Sequence, residues 1–315
     1  MKQLTFASAT YAHKKITTKR ERFLNEMDHV IPWQRWLDMI EPYYPKAGNG
    51  RPPMPMEVML RIYCLQQWYA LSDPGAEEAL YDIESMRRFA HLELGEDPLP
   101  DETTILNFRR MIETHQLSEA LFADVNVYLE EQGIRVSQGS MVDATIIQSS
   151  GSTKNREKKR DAEMHSTRKN NQYYFGMKVH IGTDVNSNVV HSATVTSANE
   201  ADINELPHVL RKDDQVVFAD AGYTSDSYKR GSRALGISWK VNDKRKPRKN
   251  LSASQKKRNR QNSSIRARVE HIFRVMKCQF GYRKTRYKGL EKNRVQILSL
   301  LSLTNLYLQR RCLMG

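Results

Sequence analysis

The spacing of apolar residues changes near Gly139, and this change constrains the fold more than any other feature of the chain. Before Gly139, long apolar segments with helical spacing alternate with turns that contain Pro or Gly, which predicts a helical region over residues 1–137. After it, short apolar runs flanked by turn residues predict strands, with helical stretches between the later ones. We therefore expect a mixed α/β chain, in which residues 138–315 form a mixed five-stranded sheet flanked by helices.

The individual elements follow from the same spacing rules. In the first region, helices are predicted over residues 21–40, 57–71, 76–94, 104–115 and 117–132. In the second region, strands are predicted over residues 140–147, 173–183, 188–196, 215–219 and 236–241. Helices are predicted there over 202–210 and 225–235. The most apolar segment, 295–308, contains polar residues and is shorter than the roughly 20 residues a membrane span needs, so we expect a buried helix.

The charge of the chain favours a polyanionic partner. It carries 50 Lys and Arg against 36 Asp and Glu, a net charge of +14. Nucleic acid and anionic membrane surfaces are the usual partners of such an excess. The three cysteines lie far apart without C-x-x-C spacing, which argues against a structural zinc site or a disulfide framework. No secretory signal is visible, so we expect a cytoplasmic protein without a membrane segment.

Positive charge is concentrated in two turn-like segments, 154–169 and 244–269. The second carries eleven Lys and Arg and no acid. A mobile solvated loop is one interpretation, but a contact with the phosphate backbone is favoured because the segment leads into a candidate active-site helix. Within its part 244–262, the candidate DNA-contacting residues are Lys244, Arg245, Lys246, Arg248, Lys249, Lys256, Lys257, Arg258 and Arg260.

Three carboxylates indicate the chemistry. Asp143 lies in one apolar strand-like run, Asp220 ends another, and Glu270 lies in a helical pattern. An aspartate at the carboxyl end of a strand faces the crevice where open sheets place their sites. Carboxylates are the ligands that Mg²⁺ prefers, and two such ions can activate a nucleophile and stabilise a leaving oxygen in phosphodiester chemistry.

The helical pattern around Glu270 adds two cations. Val269, Ile272, Phe273, Met276 and Phe280 form one apolar stripe at helical spacing. Beside the stripe, Arg266, Glu270 and Lys277 lie within about 40° of each other on an ideal helix, so Arg266 and Lys277 could hold substrate phosphates.

Two further residues could approach DNA near Asp143. Lys178 and His180 share one face of the strand predicted over 173–183. A structural histidine and an ion-paired lysine are the plainer interpretation of this pair.

These motifs together resemble bacterial insertion-sequence transposases of the DDE class. The strongest matches are Val142-Asp143-Ala144-Thr145, residues 174–180 (YFGMKVH), residues 219–223 (ADAGY), and Arg266-x3-Glu270-x6-Lys277, which is similar to the Y-R-E-K signature of one group. The chain departs from that signature at Ser263, where a Tyr is expected.

The resemblance implies a ribonuclease-H-like catalytic domain in which Asp143, Asp220 and Glu270 are catalytic and bind two Mg²⁺ ions, with Mn²⁺ as a substitute. It implies that Arg266 and Lys277 contact DNA phosphates. The expected function is cleavage at the terminal inverted repeats of an insertion sequence and transfer of the 3′-hydroxyl ends into target DNA. The expected partners are double-stranded DNA and, on that DNA, a second copy of the chain, at the bacterial nucleoid. Only 50 residues separate Asp220 from Glu270, which leaves no room for a large insertion domain.

Two other functions are open at this point. His271-x-x-Arg274 with Tyr307 resembles part of a tyrosine recombinase site, which would need no metal. A non-catalytic DNA-binding regulator, with a helix-turn-helix in the N-terminal helices, would bind DNA without these acids.

Overall fold

A computed structural model describes residue 11 and residues 13–134, 136–169, 171–245, 247 and 250–315. Three candidate DNA-contacting residues, Lys246, Arg248 and Lys249, lie outside the described residues.

The first region is helical, as predicted. Its helices in the described residues are α1 (Lys19–Val30), α2 (Trp33–Ile40), α3 (Met56–Trp68), α4 (Asp73–Asp82), α5 (Glu84–Phe89), α6 (Glu102–Thr114) and α7 (Leu117–Glu131). Asp101 caps α6 by accepting a hydrogen bond from the Thr104 amide at 2.6 Å.

Two helices that the sequence predicts as continuous are each interrupted. The predicted helix 21–40 breaks before Pro32, because a residue that precedes proline avoids the helical conformation and Ile31 is extended (ψ 127°). The predicted helix 76–94 breaks at Ile83, which is also extended (ψ 97°). The buried Arg87 donates to the carbonyl oxygens of Leu80 and Tyr81 at 2.7 and 2.8 Å, so it satisfies acceptors that the break leaves free.

The second region is a mixed sheet centred on β1. Its strands are β1 (Gly139–Gln148), β2 (His165–Lys169), β3 (Gln172–Asp184), β4 (Val190–Ser197), β5 (Val216–Ala219) and β6 (Ser238–Val241). β1 pairs antiparallel with β3 and parallel with β5. β6 pairs parallel with β5, and the outer edge of β3 pairs with both β2 and β4. The order β4-β3-β1-β5-β6 is consistent with a ribonuclease-H-like domain and confirms the predicted fold class.

The strand count differs from the prediction by one. The five predicted strands are present, and β2 is additional. β2 has the sequence His-Ser-Thr-Arg-Lys and is mostly exposed. It therefore lacks the apolar alternation by which a strand is recognised, and it is held by backbone pairing to the start of β3.

Helices cover the sheet and connect its later strands. In the described residues they are α8 (Leu206–Val209), α9 (Asp226–Ala234), α10 (Ala253–Arg266), α11 (Val269–Arg274) and α12 (Leu290–Leu313). The predicted helix 202–210 is a 3₁₀ turn, Asp202–Glu205, followed by α8. A π-helical turn, Val275–Gln279, follows α11.

Helix α12 joins the two regions. It packs on α1, α3 and α7 and also on β4. It is buried from Val295 to Leu306, as predicted for this segment. Asn305 accepts from the Val190 amide at 2.9 Å and donates to the Val190 carbonyl at 2.8 Å, which fixes the helix to the start of β4. One apolar core therefore runs through both regions. The division of the chain at residue 137 stays a prediction.

No helix in the described ranges has the length and apolar character needed to cross a bilayer.

A polar network closes the end of the sheet where β1 begins. Ser140 Oγ donates to Asp214 at 2.8 Å and lies 2.9 Å from His191 Nε2. Nearby, the fully buried Asp184 accepts from Ser137 and lies 3.5 Å from the Arg211 guanidinium. Burial, with Arg211 adding repulsion, lowers the pKa of His191 to about 3.

This network predicts a specific loss of stability in acid. An unfolded histidine takes up a proton near pH 6.5, whereas native His191 does so only near pH 3. The stability that depends on neutral His191 is therefore fully present above pH 6.5. It is lost as the pH falls towards 3, at up to about 1.4 kcal/mol of unfolding free energy per pH unit. In urea unfolding between pH 7 and 4.5, we expect His191→Gln to lose less stability than the native chain. The matched change at the exposed His208 should leave the native pH dependence intact, and equal acid losses for all three proteins would contradict the assignment.

Candidate active site

The pairing of β1 with β5 places two aspartates side by side. Met141 pairs with Phe218 in parallel register, and each strand reaches an aspartate two residues later, at Asp143 and Asp220. After Asp220 the chain turns sharply, and the Asp220 carboxylate accepts the Gly222 amide at 2.8 Å. A Cβ at Gly222 would lie 2.9 Å from that carboxylate oxygen, so a larger residue there would displace the Asp220 side chain.

Asp143 is held by a cation. The Arg266 guanidinium lies 2.5 Å from Asp143 Oδ2, and the other carboxylate oxygen accepts the Ala144 amide at 2.9 Å. Burial raises the pKa of Asp143 to about 6, and the negative charge of Asp220 adds to the rise, although Arg266 opposes it. The buried Nε of Arg266 has no hydrogen-bond partner in the part of the chain that the structure describes. One arginine therefore does not offset the effects of burial and of Asp220 on Asp143. Arg266 also keeps one N–H donor that could bond to a ligand.

Glu270 does not share a helix with Arg266. Helix α10 ends at Arg266 and α11 begins at Val269, with a tighter turn between them in which the Glu270 amide bonds to the Ala267 carbonyl. The turn breaks the ideal helix on which Arg266 and Glu270 share a face, and Glu270 is exposed. Across the described residues, no group of three or more His, Cys, Asp or Glu side chains is arranged to hold a metal ion. The structure thus brings two of the three predicted ligands together, and the role of Glu270 stays a prediction.

Lys277 lies along β1, beyond Asp143. It belongs to the π-helical turn, and its Nζ donates to Thr145 Oγ1 at 2.6 Å and to the Ile146 carbonyl at 2.8 Å. Burial, with nearby Lys169, lowers the pKa of Lys277. The predicted apolar stripe from Val269 to Phe280 is buried, so it is confirmed. The predicted phosphate contact of Lys277 is not tested by these contacts, which leave one of its three donors available.

Lys178 and His180 make contacts inside the protein. Lys178 Nζ donates to the Glu200 carbonyl at 2.6 Å and lies 2.9 Å from Asp202. His180 is fully buried, with Nε2 2.9 Å from Thr196 Oγ1. These contacts match the plainer interpretation of an ion-paired lysine and a structural histidine, and the predicted DNA contacts of both residues stay predictions.

Sequence reasoning missed three residues around the aspartates. Burial raises the pKa of Tyr223, and the charges of Asp202, Asp143 and Asp220 add to the rise. The positive charge of Lys169, at the end of β2, works to lower the pKa values of both Asp143 and Lys277. In the sequence, Asp202 is recognisable only as the first residue of a predicted helix. The position of Lys169 depends on β2, a strand that the sequence does not predict.

The second basic segment is largely a helix, so the predicted turn-like loop is wrong over 253–266. Ser252 and Gln255 form a capping box that starts α10. Asn259 bonds to the backbone of Asp243 and Asn242 donates to Ser263 Oγ at 2.9 Å, which ties the helix to the end of β6. The exposed cations in the described residues of its part 244–262 are Lys244, Arg245, Lys256, Lys257, Arg258 and Arg260.

Tyr307 does not resemble a nucleophile in an active site. Its ring packs against Phe23 and Phe280, and the Arg310 guanidinium lies 4.0 Å from the ring centroid. His271 and Arg274 are exposed on α11. These contacts give no support to a tyrosine recombinase.

Two known families match the chain. The family described as Transposase DDE domain matches residues 135–306, more than half of the chain, including Asp143, Asp220 and Glu270. The family described as Transposase domain (DUF772) matches residues 11–111, which include α1 to α5.

The contacts of Lys277 predict a cost for removing its ammonium group. Lys277→Met keeps the length of the side chain but leaves the Ile146 carbonyl without this donor, which should lower the free energy of unfolding by about 1 to 3 kcal/mol. Lys292→Met, at an exposed position on α12, is the matched control and should be nearly neutral. Urea denaturation compares the two. A Lys277→Met midpoint equal to that of the control would show that Lys277 does not hold β1.

Proposed function

Because this chain belongs to the family of transposases with a DDE domain, we propose that it cleaves DNA at the terminal inverted repeats of its own insertion sequence and transfers the freed 3′-hydroxyl ends into target DNA. The observation that carries this proposal is the pair Asp143 and Asp220 at neighbouring strands, reached by Arg266 at the end of a basic helix. Cleavage and transfer of a phosphodiester require such a group of acids beside a surface that binds phosphates.

The two aspartates fit a divalent cation. Members of this family generally use divalent metal ions. The negative charge of Asp220 disfavours ionisation of Asp143 and so helps to raise the pKa of Asp143, and a divalent cation would offset that repulsion. We propose that they hold Mg²⁺, for which Mn²⁺ substitutes, with Glu270 as a third ligand. When bound, two such ions supply an activated nucleophile and stabilise the leaving oxygen.

Protein cations would position the DNA. Arg266 has a free buried Nε beside Asp143, which suits it to a phosphate oxygen next to the bond that breaks. Lys277 lies two to three residues further along β1. The exposed cations of α10 would bind the backbone on the way to the site.

The helical region would supply recognition. Residues 11–111 match a transposase domain, and we propose that α1 to α7 bind the terminal repeats. Joining two ends in concert requires two active sites, so we propose a homodimer on DNA at the bacterial nucleoid.

A nicking assay tests the catalytic assignment. The substrate is duplex DNA from the flanks of the coding region, with Mg²⁺. We expect Asp143→Asn, Asp220→Asn and Glu270→Gln each to slow nicking by about 100-fold or more. The exposed acids Asp213 and Glu78 provide matched controls, Asp213→Asn and Glu78→Gln, which should cleave like the native chain. Native rates for Glu270→Gln alone would remove Glu270 from the site, whereas a native chain that never nicks would reject the function.

Metal binding can be measured without catalysis. An ion at ten times its Kd stabilises the native state by about 1.4 kcal/mol, which should raise the thermal midpoint by about 2 °C. We expect Mn²⁺ to produce this rise in the native chain and in Asp213→Asn, but not in Asp143→Asn or Asp220→Asn. An equal rise in all four proteins would place the ion elsewhere.

A further inference from the structure

A cleft at the far end of β1 is lined by cations that no function so far explains. It lies between residues 149–161 and residues 285–288 and has a volume of about 360 Å³. Its charged lining consists of Lys154, Arg160, Arg286 and Lys288, with one acid, Asp161. The Ser150 and Ser152 side chains add hydroxyl groups.

The walls of the cleft are fixed to the rest of the fold. The Thr285 amide donates to the Gln148 carbonyl at 2.8 Å, and the Ser149 and Thr285 hydroxyls lie 3.0 Å apart, so segment 285–288 follows the end of β1. On the other wall, Asp161 accepts the Gly289 amide at 2.8 Å and Glu163 accepts the Leu290 amide at 2.6 Å. These two acids cap the start of α12.

Most cations of the cleft form no ion pair within the described ranges. Arg286 is partly buried and makes no hydrogen bond or ion pair within the described ranges, and burial lowers its pKa. Arg160 donates to the Gly151 carbonyl and lies over the Phe175 ring, and it forms no ion pair among the residues that the structure describes. Lys154 is exposed. Lys288 pairs with Glu157 at 3.2 Å, but both side chains are more than two-thirds exposed, so the pair is weak.

The cleft is aligned with the active site. Ser149 follows Asp143 by six residues along an extended strand, a distance of about 20 Å. Lys277 lies between them, against Thr145 and Ile146. Arg266, Lys277 and Arg286 therefore contact or border β1 in sequence, from the aspartates to the cleft. At about 3.4 Å per base pair, the same distance corresponds to about six base pairs of duplex.

We propose that this cleft binds a phosphate of the DNA backbone about six base pairs from the phosphate at Asp143 and Asp220. Guanidinium, ammonium and hydroxyl groups are the usual partners of backbone phosphates, and such contacts fix register without reading sequence. The inference rests on the proposed function, because the second phosphate is located relative to the bond that is cut. The cleft would act as an anchor that holds the duplex along β1.

The test compares a variant that loses two positive charges from the cleft with a variant that loses two positive charges elsewhere. The variant Arg286→Gln/Lys154→Gln loses two charges from the cleft, and Lys292→Gln/Arg311→Gln loses two exposed charges from α12. Fluorescence anisotropy of an element-end duplex, without divalent ions and over a range of salt, gives the affinity. We expect the cleft variant to bind about tenfold more weakly at 0.1 M salt, with a salt slope smaller by about 1 to 2. The control should lose less than twofold.

A modified duplex locates the contact. A methylphosphonate, which is uncharged, replaces one phosphate at a time between two and ten base pairs from the cut. We expect the native chain to lose affinity most near position six, and the cleft variant to lose nothing further there. Arg286→Lys, which keeps the charge, should retain most of the native affinity, and thermal midpoints verify that every variant is folded.

The outcomes separate the two proposals. If the cleft variant binds like the native chain, or if cleft and control variants weaken binding equally, the anchor is wrong even when native nicking is normal. A uniform methylphosphonate effect along the duplex also overturns it. If the native chain binds with the expected position dependence but does not nick in Mg²⁺ or Mn²⁺, the proposed catalytic function fails while the phosphate contact stands.

Discussion

Two partly buried aspartates lie at the same level of two neighbouring parallel strands, and the rest of the site depends on how their mutual repulsion is balanced. The parallel register of β1 and β5 makes the proximity unavoidable, since each strand carries its aspartate at the same level. In the structure the balancing charge is Arg266, yet the pKa of Asp143 remains raised to about 6 because burial outweighs the ion pair. A site in this state favours a stronger cation, which is the physical reason for proposing a divalent ion there.

The elements around this pair make the same surface suitable for DNA. Helix α10 brings its exposed cations and Arg266 to the aspartates on one rigid element, tied to β6 through Asn259 and Asn242. Helix α12 packs against the helical region and β4 and starts at the wall of the second cationic cleft. The helices proposed to bind the terminal repeats and the sheet that carries the two aspartates share one apolar core, which can hold them in a fixed relation.

Most of the buried strands and helices could be predicted, because burial of one face produces a periodic spacing of apolar residues in the sequence. The β1 and β5 runs, the buried stripe from Val269 to Phe280 and the buried helix α12 all appear as apolar spacing. Features without such a trace were missed. Strand β2 is polar and held by backbone pairing, and α10 is a basic helix whose only local signal is its Ser252–Gln255 capping box. The position of Glu270 could not be predicted because a two-residue turn after Arg266 defeats any ideal helical projection. The approach of Asp202 and Lys169 to the aspartates depends on strand pairing between distant segments.

Anomalous scattering from a crystal of the native chain grown with Mn²⁺ tests the central claim most directly. The account predicts a peak about 2.1 Å from carboxylate oxygens of both Asp143 and Asp220, with Arg266 moved away from Asp143. A peak elsewhere, or an occupied crystal in which Arg266 still bonds to Asp143 and no manganese lies between the two aspartates, would contradict it.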